Sequence, residues 1–174
     1  MTMFSPERYF AALRFAAERH LQQKFPGTEL PYLLHVVTVT SEVIAHLPVL
    51  QLSEPDLAVT CALLHDTLED TATTREEVQA RFGAAVAAGV DALTKRDVRD
   101  KMADSLRRIR AQPREIWIVK LADRIANMDA PPHYWTAEKR VEYREEALAI
   151  ADALGSASSV LDARLRGRIA AYPA

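Results

Sequence analysis

The sequence predicts an all-α, single-domain helical bundle, and three observations support this. The chain has 174 residues with 49% hydrophobic residues and only 5 glycines, which suits one good core. Apolar residues recur at three- and four-residue spacing along most of its length, the period of a helix with one buried face. Capping residues and helix breakers separate these segments, without an internal repeat, a low-complexity tract or a flexible linker. We therefore expect one domain over residues 1–174.

Composition narrows the functional classes. The net charge of −2 gives no basic surface for non-specific binding to nucleic acid. The single cysteine, Cys61, excludes an internal disulfide framework and fits a reducing compartment. No run approaches 18 apolar residues, and the first residues lack a signal-peptide pattern. We expect a cytoplasmic protein with no membrane or nucleic-acid partner, and the sequence leaves its oligomeric state open.

Three helices are expected in the first 70 residues. Ser5-Pro6-Glu7 is a helix start, and the helix that follows is predicted to end near Lys24. Pro31-Tyr32 opens a second helix, because about 16 residues follow without a turn signal despite their β-branched content. A third, central helix is predicted from about 54 to 70, after a cap at Ser53-Glu54-Pro55-Asp56.

The second half of the chain also predicts only helices. Thr74 to Glu77 has the spacing of a capping box, and Gly83 closes the short helix that follows. The helices are expected at about 75–82, 84–94, 98–111, 115–128, 136–154 and 157–172. The helix at 98–111 is basic, but its mixture of charges predicts a solvated face, with its basic residues at Lys101, Arg107, Arg108 and Arg110.

The central helix carries the first candidate functional residues. It is apolar on most of its surface and should be buried, yet it ends in His65, Asp66, Glu69 and Asp70. Residues three and four apart share a helix face, so these four side chains are expected to point the same way. Charges on a buried helix are costly unless they are paired or bind a cation. The alternative is an ordinary helix C-terminus with solvated charge.

Two more residues are candidate metal ligands. His35 lies on a mostly apolar face near the start of the second helix, and Asp123 lies inside the buried helix at 115–128. Taken singly, His35 could be a packed core residue, and Asp123 could be satisfied by Arg124. Together with His65 and Asp66 they offer two imidazoles and two carboxylates. Such a set suits a divalent ion such as Mn²⁺, with Fe²⁺, Co²⁺ or Mg²⁺ as alternatives.

This donor set favours hydrolysis over a structural metal site. Cys61 lies one turn back on the core side, so no thiolate is available for structural zinc. Four protein ligands around a six-coordinate ion leave positions for water and substrate, as metal-assisted hydrolysis requires. Glu69 and Asp70 stand one turn beyond the ligands, where a carboxylate can activate the attacking water. The alternative is that this pair caps amides on the solvent side.

Three motifs carry a resemblance to a known family. They are Pro31-Tyr32-Leu33-Leu34-His35, Ala62-Leu63-Leu64-His65-Asp66-Thr67-Leu68-Glu69-Asp70-Thr71 and Val119-Lys120-Leu121-Ala122-Asp123-Arg124-Ile125-Ala126-Asn127. Together they resemble the HD-domain metal phosphohydrolases, and more closely the hydrolase domain of the RelA/SpoT homologues. In length and layout the chain is similar to the stand-alone small alarmone hydrolases of that family, over about residues 8–155.

The resemblance implies an HD-domain helical bundle and a Mn²⁺-dependent enzyme. Such an enzyme removes pyrophosphate from the 3′ position of a small-molecule nucleotide, an alarmone such as ppGpp or pppGpp. By the same resemblance, His35, His65, Asp66 and Asp123 hold the metal, while Glu69 and Asp70 activate the water. The residues expected near the substrate are Lys24, Lys95, Asn127 and Tyr143.

The chain departs from the family pattern around the substrate. Family hydrolases usually carry an Arg-Lys pair after the first helix, whereas this chain has Gln22-Gln23-Lys24-Phe25. Thr94-Lys95-Arg96-Asp97 stands where the family often has an acidic patch, and Val36 replaces the usual proline. An adenosine alarmone such as pppApp is therefore a second candidate substrate. Two further alternatives are a broader phosphatase of 5′-nucleotides or NADPH, and a non-catalytic nucleotide-binding HD module.

Overall fold

The computed structural model of the protein describes residues 4–173. Within that range it contains ten α-helices, one short 3₁₀ turn at Gly155–Ala157, and no strand beyond an isolated bridge between Lys24 and Pro31. The helices are α1 (Pro6–Arg19), α2 (Leu33–Leu50), α3 (Pro55–Leu64), α4 (Thr67–Asp70), α5 (Arg75–Phe82), α6 (Ala84–Leu93), α7 (Lys101–Arg110), α8 (Arg114–Asn127), α9 (Ala137–Leu154) and α10 (Ser159–Ala171). The predicted all-α fold is confirmed.

The predicted capping residues begin their helices as expected. The hydroxyl oxygen of Ser5 accepts the backbone N–H of Arg8, and Thr136 caps α9 in the same way. Thr74 accepts the N–H of Glu77 at the start of α5, but the Glu77 carboxylate does not complete a capping box. It pairs with Arg19 of α1 instead, so it joins two helices.

The predicted central helix at 54–70 is wrong in one respect, because it breaks between α3 and α4. In an unbroken helix, each carbonyl accepts a backbone N–H four residues later. Here the carbonyl of Ala62 accepts the Nδ1–H of His65 at 2.8 Å, and that of Leu64 accepts the hydroxyl of Thr67 at 2.7 Å. These side chains take over the carbonyl groups at the end of α3, and the chain turns at His65-Asp66.

Two other predicted boundaries are also shifted. The first helix ends at Arg19 and not near Lys24, because the N–H of Gln23 bonds to the carbonyl of His20 in a separate turn. The basic helix begins at Lys101 and not at 98. Asp100 caps it by accepting the N–H of Ala103.

The solvated basic face predicted for α7 is wrong at Arg108. Its guanidinium is buried, and it donates to the carbonyls of Asp91, Ala92 and Thr94 at 2.7–2.9 Å. Asp104 on the same helix completes its partners. Arg108 therefore satisfies carbonyl groups left free at the end of α6, a role that favours a cation.

The core lies where α2, α3 and α8 pack against one another. Every residue of α3 from Leu57 to Leu64 is buried, and α1 covers another side of this helix. Helices α9 and α10 pack together and against α8. The break after α3 therefore opens directly beside the two other central helices.

Among the described helices, α2 is long and apolar enough to cross a membrane by length and composition alone. The sequence prediction missed this property of α2, because it required an unbroken apolar run, which residues such as Thr40 and Glu42 interrupt. In the folded chain, α2 packs against α3 and α8 and buries seven residues, His35 among them. That packing is typical of a core helix, which meets the same criteria.

Candidate metal centre

Four side chains converge at the break between α3 and α4. His35 comes from the first turn of α2, His65 and Asp66 from the break itself, and Asp123 from the last turns of α8. The Nε2 atoms of the two histidines are 3.2 Å apart, and both side chains are 4% exposed. These are the four residues that the sequence named as candidate metal ligands.

The distances among their polar atoms are short. Asp66 Oδ2 lies 2.8 Å from His65 Nε2 and 3.6 Å from His35 Nε2. Asp123 Oδ1 lies 3.4 Å from His35 Nε2 and 3.8 Å from His65 Nε2. The two histidines and Asp66 can each offer one ligand atom within 4.8 Å of the others. Because the chain turns at the break, two adjacent residues reach the same point.

This arrangement fits a divalent cation. Octahedral coordination with bonds of about 2.1 Å places neighbouring ligand atoms about 3 Å apart, close to the separations measured here. The donors are imidazole nitrogens and carboxylate oxygens, a set that suits a borderline or hard divalent ion. Cys61 is buried away from the centre, where its thiol contacts the carbonyl of Val86.

Neighbouring groups orient three of the four candidate ligands. The Nδ1–H of His65 donates to the carbonyl of Ala62, so the lone pair of its Nε2 faces the centre. The hydroxyl of Tyr32 donates to Asp66 Oδ2. Asp123 receives two bonds, from Lys120 Nζ to Oδ2 at 2.9 Å and from Asn127 Nδ2 to Oδ1 at 2.7 Å.

The electrostatics of the cluster favour positive charge at its centre. Burial alone would lower the pKa of His35, but hydrogen bonds to Asp123 and Asp66 raise that pKa to about 9. Burial alone would raise the pKa of Asp123, but the charge of Lys120 and the bond to His35 hold it well below its usual range. Two ionised carboxylates thus attract a proton or a cation to the imidazoles.

Glu69 and Asp70 lie on α4, beside this centre, and both line the same cavity. Glu69 accepts the backbone N–H of Lys95 at 2.8 Å and its ammonium at 3.3 Å. Asp70 Oδ2 accepts the side-chain N–H of Gln23 at 2.9 Å. Burial, with the nearby charge of Asp66, raises the pKa of Asp70.

The centre opens into a cavity of about 940 Å³, and only some of the predicted substrate residues line it. Lys95, Asn127 and Tyr143 line it, although the amide of Asn127 is already bonded to Asp123. Lys24 is not among the lining residues, and its ammonium donates to the carbonyl of Glu29 at 3.2 Å. A substrate-binding role for Lys24 stays a prediction.

Three residues of the site were not singled out by the sequence. Tyr32 and Lys120 lie inside the quoted motifs, and Lys120 is three residues before Asp123 on one helix face, a detectable signal. Gln23 reaches the site in place of its neighbour Lys24. The loop conformation between α1 and α2 decides which of the two does so, and no periodicity encodes it.

Comparison with known proteins gives consistent results. A family model described as HD domain matches residues 12–158. Guanosine-3′,5′-bis(diphosphate) 3′-pyrophosphohydrolase MESH1 of Danio rerio is 31% identical over 162 residues, with 88% of each chain covered. The Homo sapiens protein of the same name is 33% identical over 168 residues, with 89% of each covered. The 3′-pyrophosphohydrolase of Aquifex aeolicus is 34% identical over 147 residues, which are 80% of this chain and 20% of that protein.

Solved structures give the same fold. A structure reported for a metazoan ortholog of SpoT that hydrolyzes ppGpp and plays a role in starvation responses superposes with a TM-score of 0.82. It is 25% identical, and 97% of each chain is covered. The Listeria monocytogenes protein lmo0812 is 21% identical with a TM-score of 0.59 over 84% of this chain and 96% of that one, which shows the fold alone. This chain belongs to the HD-domain family and is a homologue of the MESH1 and SpoT type of hydrolase.

Proposed function

We propose that this protein is a metal-dependent 3′-pyrophosphohydrolase of nucleotide alarmones such as ppGpp and pppGpp. The observation that carries the proposal is the centre formed by His35, His65, Asp66 and Asp123 beside two further carboxylates. Relatives that carry the name of this activity align with about nine-tenths of the chain. Hydrolysis needs a cation site, a water-activating group and room for the nucleotide, and the candidate ligands together with Glu69 and Asp70 line one cavity of about 940 Å³.

We propose Mn²⁺ as the ion, held by His35, His65, Asp66 and Asp123. The mixture of two imidazoles and two carboxylates lies between the all-oxygen sites of Mg²⁺ and the nitrogen- or thiolate-rich sites of zinc. When bound, a divalent ion supplies Lewis acidity to the phosphoryl group and to the attacking water. Lys120 and Tyr32 hold the carboxylates of Asp123 and Asp66 in place.

Glu69 and Asp70 are proposed to activate the water. Burial raises the pKa of Asp70, which makes its carboxylate a stronger proton acceptor than that of an exposed aspartate. Glu69 is held by two bonds from Lys95, so its carboxylate has a fixed orientation toward the cavity that both residues line. We therefore assign the proton acceptance to Asp70 and the orientation of the water to Glu69.

The proposed reaction cleaves the bond between the 3′ oxygen and its phosphorus. Water forms a new bond to this phosphorus and loses a proton to Asp70, and pyrophosphate is released. The 3′ oxygen, the leaving group, takes up a proton from solvent to regenerate the hydroxyl. Lys95, Asn127 and Tyr143 line the cavity and are the proposed contacts for the rest of the nucleotide.

A single assay tests this function and its alternatives. The purified protein with Mn²⁺ is offered ppGpp, pppApp, a 5′-nucleotide and NADPH, and released pyrophosphate and phosphate are quantified separately. Pyrophosphate from the 3′-diphosphate nucleotides alone supports the proposal, and the ratio of ppGpp to pppApp turnover gives the base preference. Phosphate from the 5′-nucleotide or NADPH, without pyrophosphate from ppGpp, would show a broader phosphatase. Binding without turnover would indicate a non-catalytic module.

We also propose that the chain acts as one domain in the cytoplasm. The family match over residues 12–158 and the superposition over 97% of the chain support a single unit. The buried free thiol of Cys61 is compatible with a reducing compartment. Limited proteolysis that releases no stable fragment, and fractionation of cells that express the tagged protein, would test both points.

A further inference from the structure

His20, at the C-terminal end of α1, is buried beside the candidate centre although no step proposed above uses it. It is 2% exposed, and its ring lies 5.0 Å from the ring of Tyr32. Its Nδ1 is 2.6 Å from the side-chain oxygen of Gln23, while its Nε2 is buried with no hydrogen-bond partner among residues 4–173. A buried imidazole with one strong bond needs an explanation.

Gln23 connects this imidazole to the catalytic carboxylate. Its Oε1 faces His20, and its Nε2 donates to Asp70 Oδ2 at 2.9 Å. The backbone of Gln23 is fixed on both sides, because its N–H donates to the carbonyl of His20 and its carbonyl accepts the N–H of Tyr32, each at 2.9 Å. Only the side-chain torsions of Gln23 therefore remain free.

The donor and acceptor in each bond of the chain from His20 through Gln23 to Asp70 follow from the charge of Asp70. An ionised Asp70 can only accept hydrogen bonds, so the NH₂ group of the Gln23 amide must face it. The amide oxygen must then face His20, and the Nδ1 of His20 must carry the hydrogen. This tautomer leaves Nε2 as an unprotonated nitrogen, which agrees with its lack of a hydrogen-bond partner in the described part of the chain.

We propose that His20 is a positioning residue that fixes the Gln23 amide, and through it the carboxylate of Asp70. Without the donor on His20, the amide oxygen of Gln23 loses its partner, so the free side-chain torsions can carry the NH₂ group away from Asp70 and release that carboxylate. The proposal rests on the hydrolysis proposed above, because Asp70 is assigned there as the proton acceptor.

Three variants test this positioning role. His20→Leu fills the space but removes the donor, whereas His20→Asn keeps a donor on Cγ, where Nδ1 is attached. Gln23→Met removes both bonds at similar length, and Gln22→Met is its matched control, since Gln22 is exposed and outside the cavity. The kcat and KM for ppGpp, the Mn²⁺ affinity and the melting temperature are measured for each.

A shift of about 1 Å in a reacting group can lower a rate by up to about 100-fold. We expect kcat to fall on the order of 10- to 100-fold in His20→Leu and Gln23→Met, with KM and Mn²⁺ affinity nearly unchanged. His20→Asn should recover most of the rate, and Gln22→Met should equal the wild type. Full kcat in Gln23→Met would overturn the proposal, as would parallel loss of rate and metal binding. If His20→Leu fails to fold, a His20→Asn rate as low as that of Gln23→Met would overturn it.

A readout without turnover separates this proposal from the function on which it rests. Nitrogen-15 NMR of the histidine rings should show His20 as the Nδ1–H tautomer in the wild type and a mixture of tautomers in Gln23→Met. If the wild type does not hydrolyse ppGpp but His20 has this tautomer, the proposed function fails while the hydrogen-bonded chain stands. If the wild type is active and His20 has the Nε2–H tautomer, only the positioning role fails.

Discussion

The metal end of the cavity and its outer rim are built in different ways. At the metal end, His35 and His65 are buried, and every carboxylate has a donor from a neighbouring side chain. At the rim, Lys95 is 59% exposed along its side chain, and Arg168 pairs with an Asp129 that is 79% exposed. The metal end lies on the packed helices α2 and α8 and at the break between α3 and α4, whereas much of the rim lies on the loops before α2 and α9.

This difference indicates that the metal end serves the reaction, whereas the rim serves the selection of the nucleotide. A reacting centre needs atoms fixed within a fraction of an ångström, which packed helices with satisfied side chains provide. Loops tolerate changes of length and composition, so they can alter which nucleotide is accepted without moving the centre. Substitutions at the metal end should therefore affect metal affinity or rate, and substitutions at the rim should affect KM.

The largest effect is expected at Asp123. Asp123→Asn removes one negative charge and one candidate ligand. Mutation of a residue that only hydrogen-bonds a metal ligand typically lowers metal affinity about 10- to 100-fold. Mn²⁺ affinity should therefore fall by more than this, and turnover should disappear. Isothermal titration with Mn²⁺ and the pyrophosphate assay measure both. Asp129→Asn at the rim is the control and should bind Mn²⁺ normally. Normal affinity in Asp123→Asn would remove Asp123 from the proposed ligand set.

Glu69 should separate rate from metal binding. Glu69→Ala removes the carboxylate proposed to orient the attacking water, so kcat is expected to fall on the order of 10²-fold, while Mn²⁺ affinity stays within a few-fold. Glu76→Ala on the exposed side of α5 is a matched control. A fully active Glu69→Ala enzyme would contradict the proposed role in water activation.

Tyr32 tests the packed shell around the ligands. Tyr32→Phe removes the donor to Asp66 and leaves the ring, so Mn²⁺ affinity should fall about 10- to 100-fold with a small change in melting temperature. Tyr9→Phe, on α1 and away from the centre, should change neither quantity. Unchanged affinity in Tyr32→Phe would mean that the backbone alone holds Asp66 in place.

Metal affinity should also depend on pH. Burial lowers the pKa of His35, but Asp123 and Asp66 raise it to about 9, so below that pH an incoming ion must displace a proton. Mn²⁺ affinity should therefore increase as the pH rises toward 9, by at most about tenfold per pH unit for each proton displaced. Electron paramagnetic resonance titrations between about pH 6.5 and 8.5 would show this slope. A flat profile would indicate that His35 is neutral before the metal binds.

The smallest effect is expected at the rim. Lys95→Met removes an exposed ammonium whose pair with Glu69 contributes at most about 1 kcal/mol to stability. The KM for ppGpp should rise less than about tenfold, with unchanged Mn²⁺ affinity. Lys101→Met, which breaks an exposed pair with Asp97 outside the cavity, is the control. A large loss of kcat in Lys95→Met would place Lys95 with the metal end.

Much of this division could be predicted from the sequence. Periodicity and caps located the helices, because a helix is encoded by neighbours three and four residues apart, except that α3 and α4 were predicted as one continuous helix. Spacing and residue type identified His35, His65, Asp66 and Asp123 as candidate ligands. The structure brings these four together, but it also breaks the helix between the second and third of them.

The remaining features depend on contacts between distant segments. The break at His65-Asp66 arises from side chains competing for carbonyl groups, which a propensity pattern does not reveal. Arg108 belongs to a charged helix and is nevertheless buried, because the end of α6 supplies its acceptors. Tyr32 contacts Asp66 across 34 positions of sequence, and only the folded loop brings them together.

The placement of the four candidate ligands has a consequence for folding. His35 and His65 are 30 positions apart, and Asp123 lies on a third central helix, so one bound ion would act as a cross-link between distant parts of the chain. Binding to the native state alone stabilises it by about 2.7 kcal/mol when the free ion is at 100 times its dissociation constant. The supply of metal in the cell would then set how long each molecule survives as well as how fast it works.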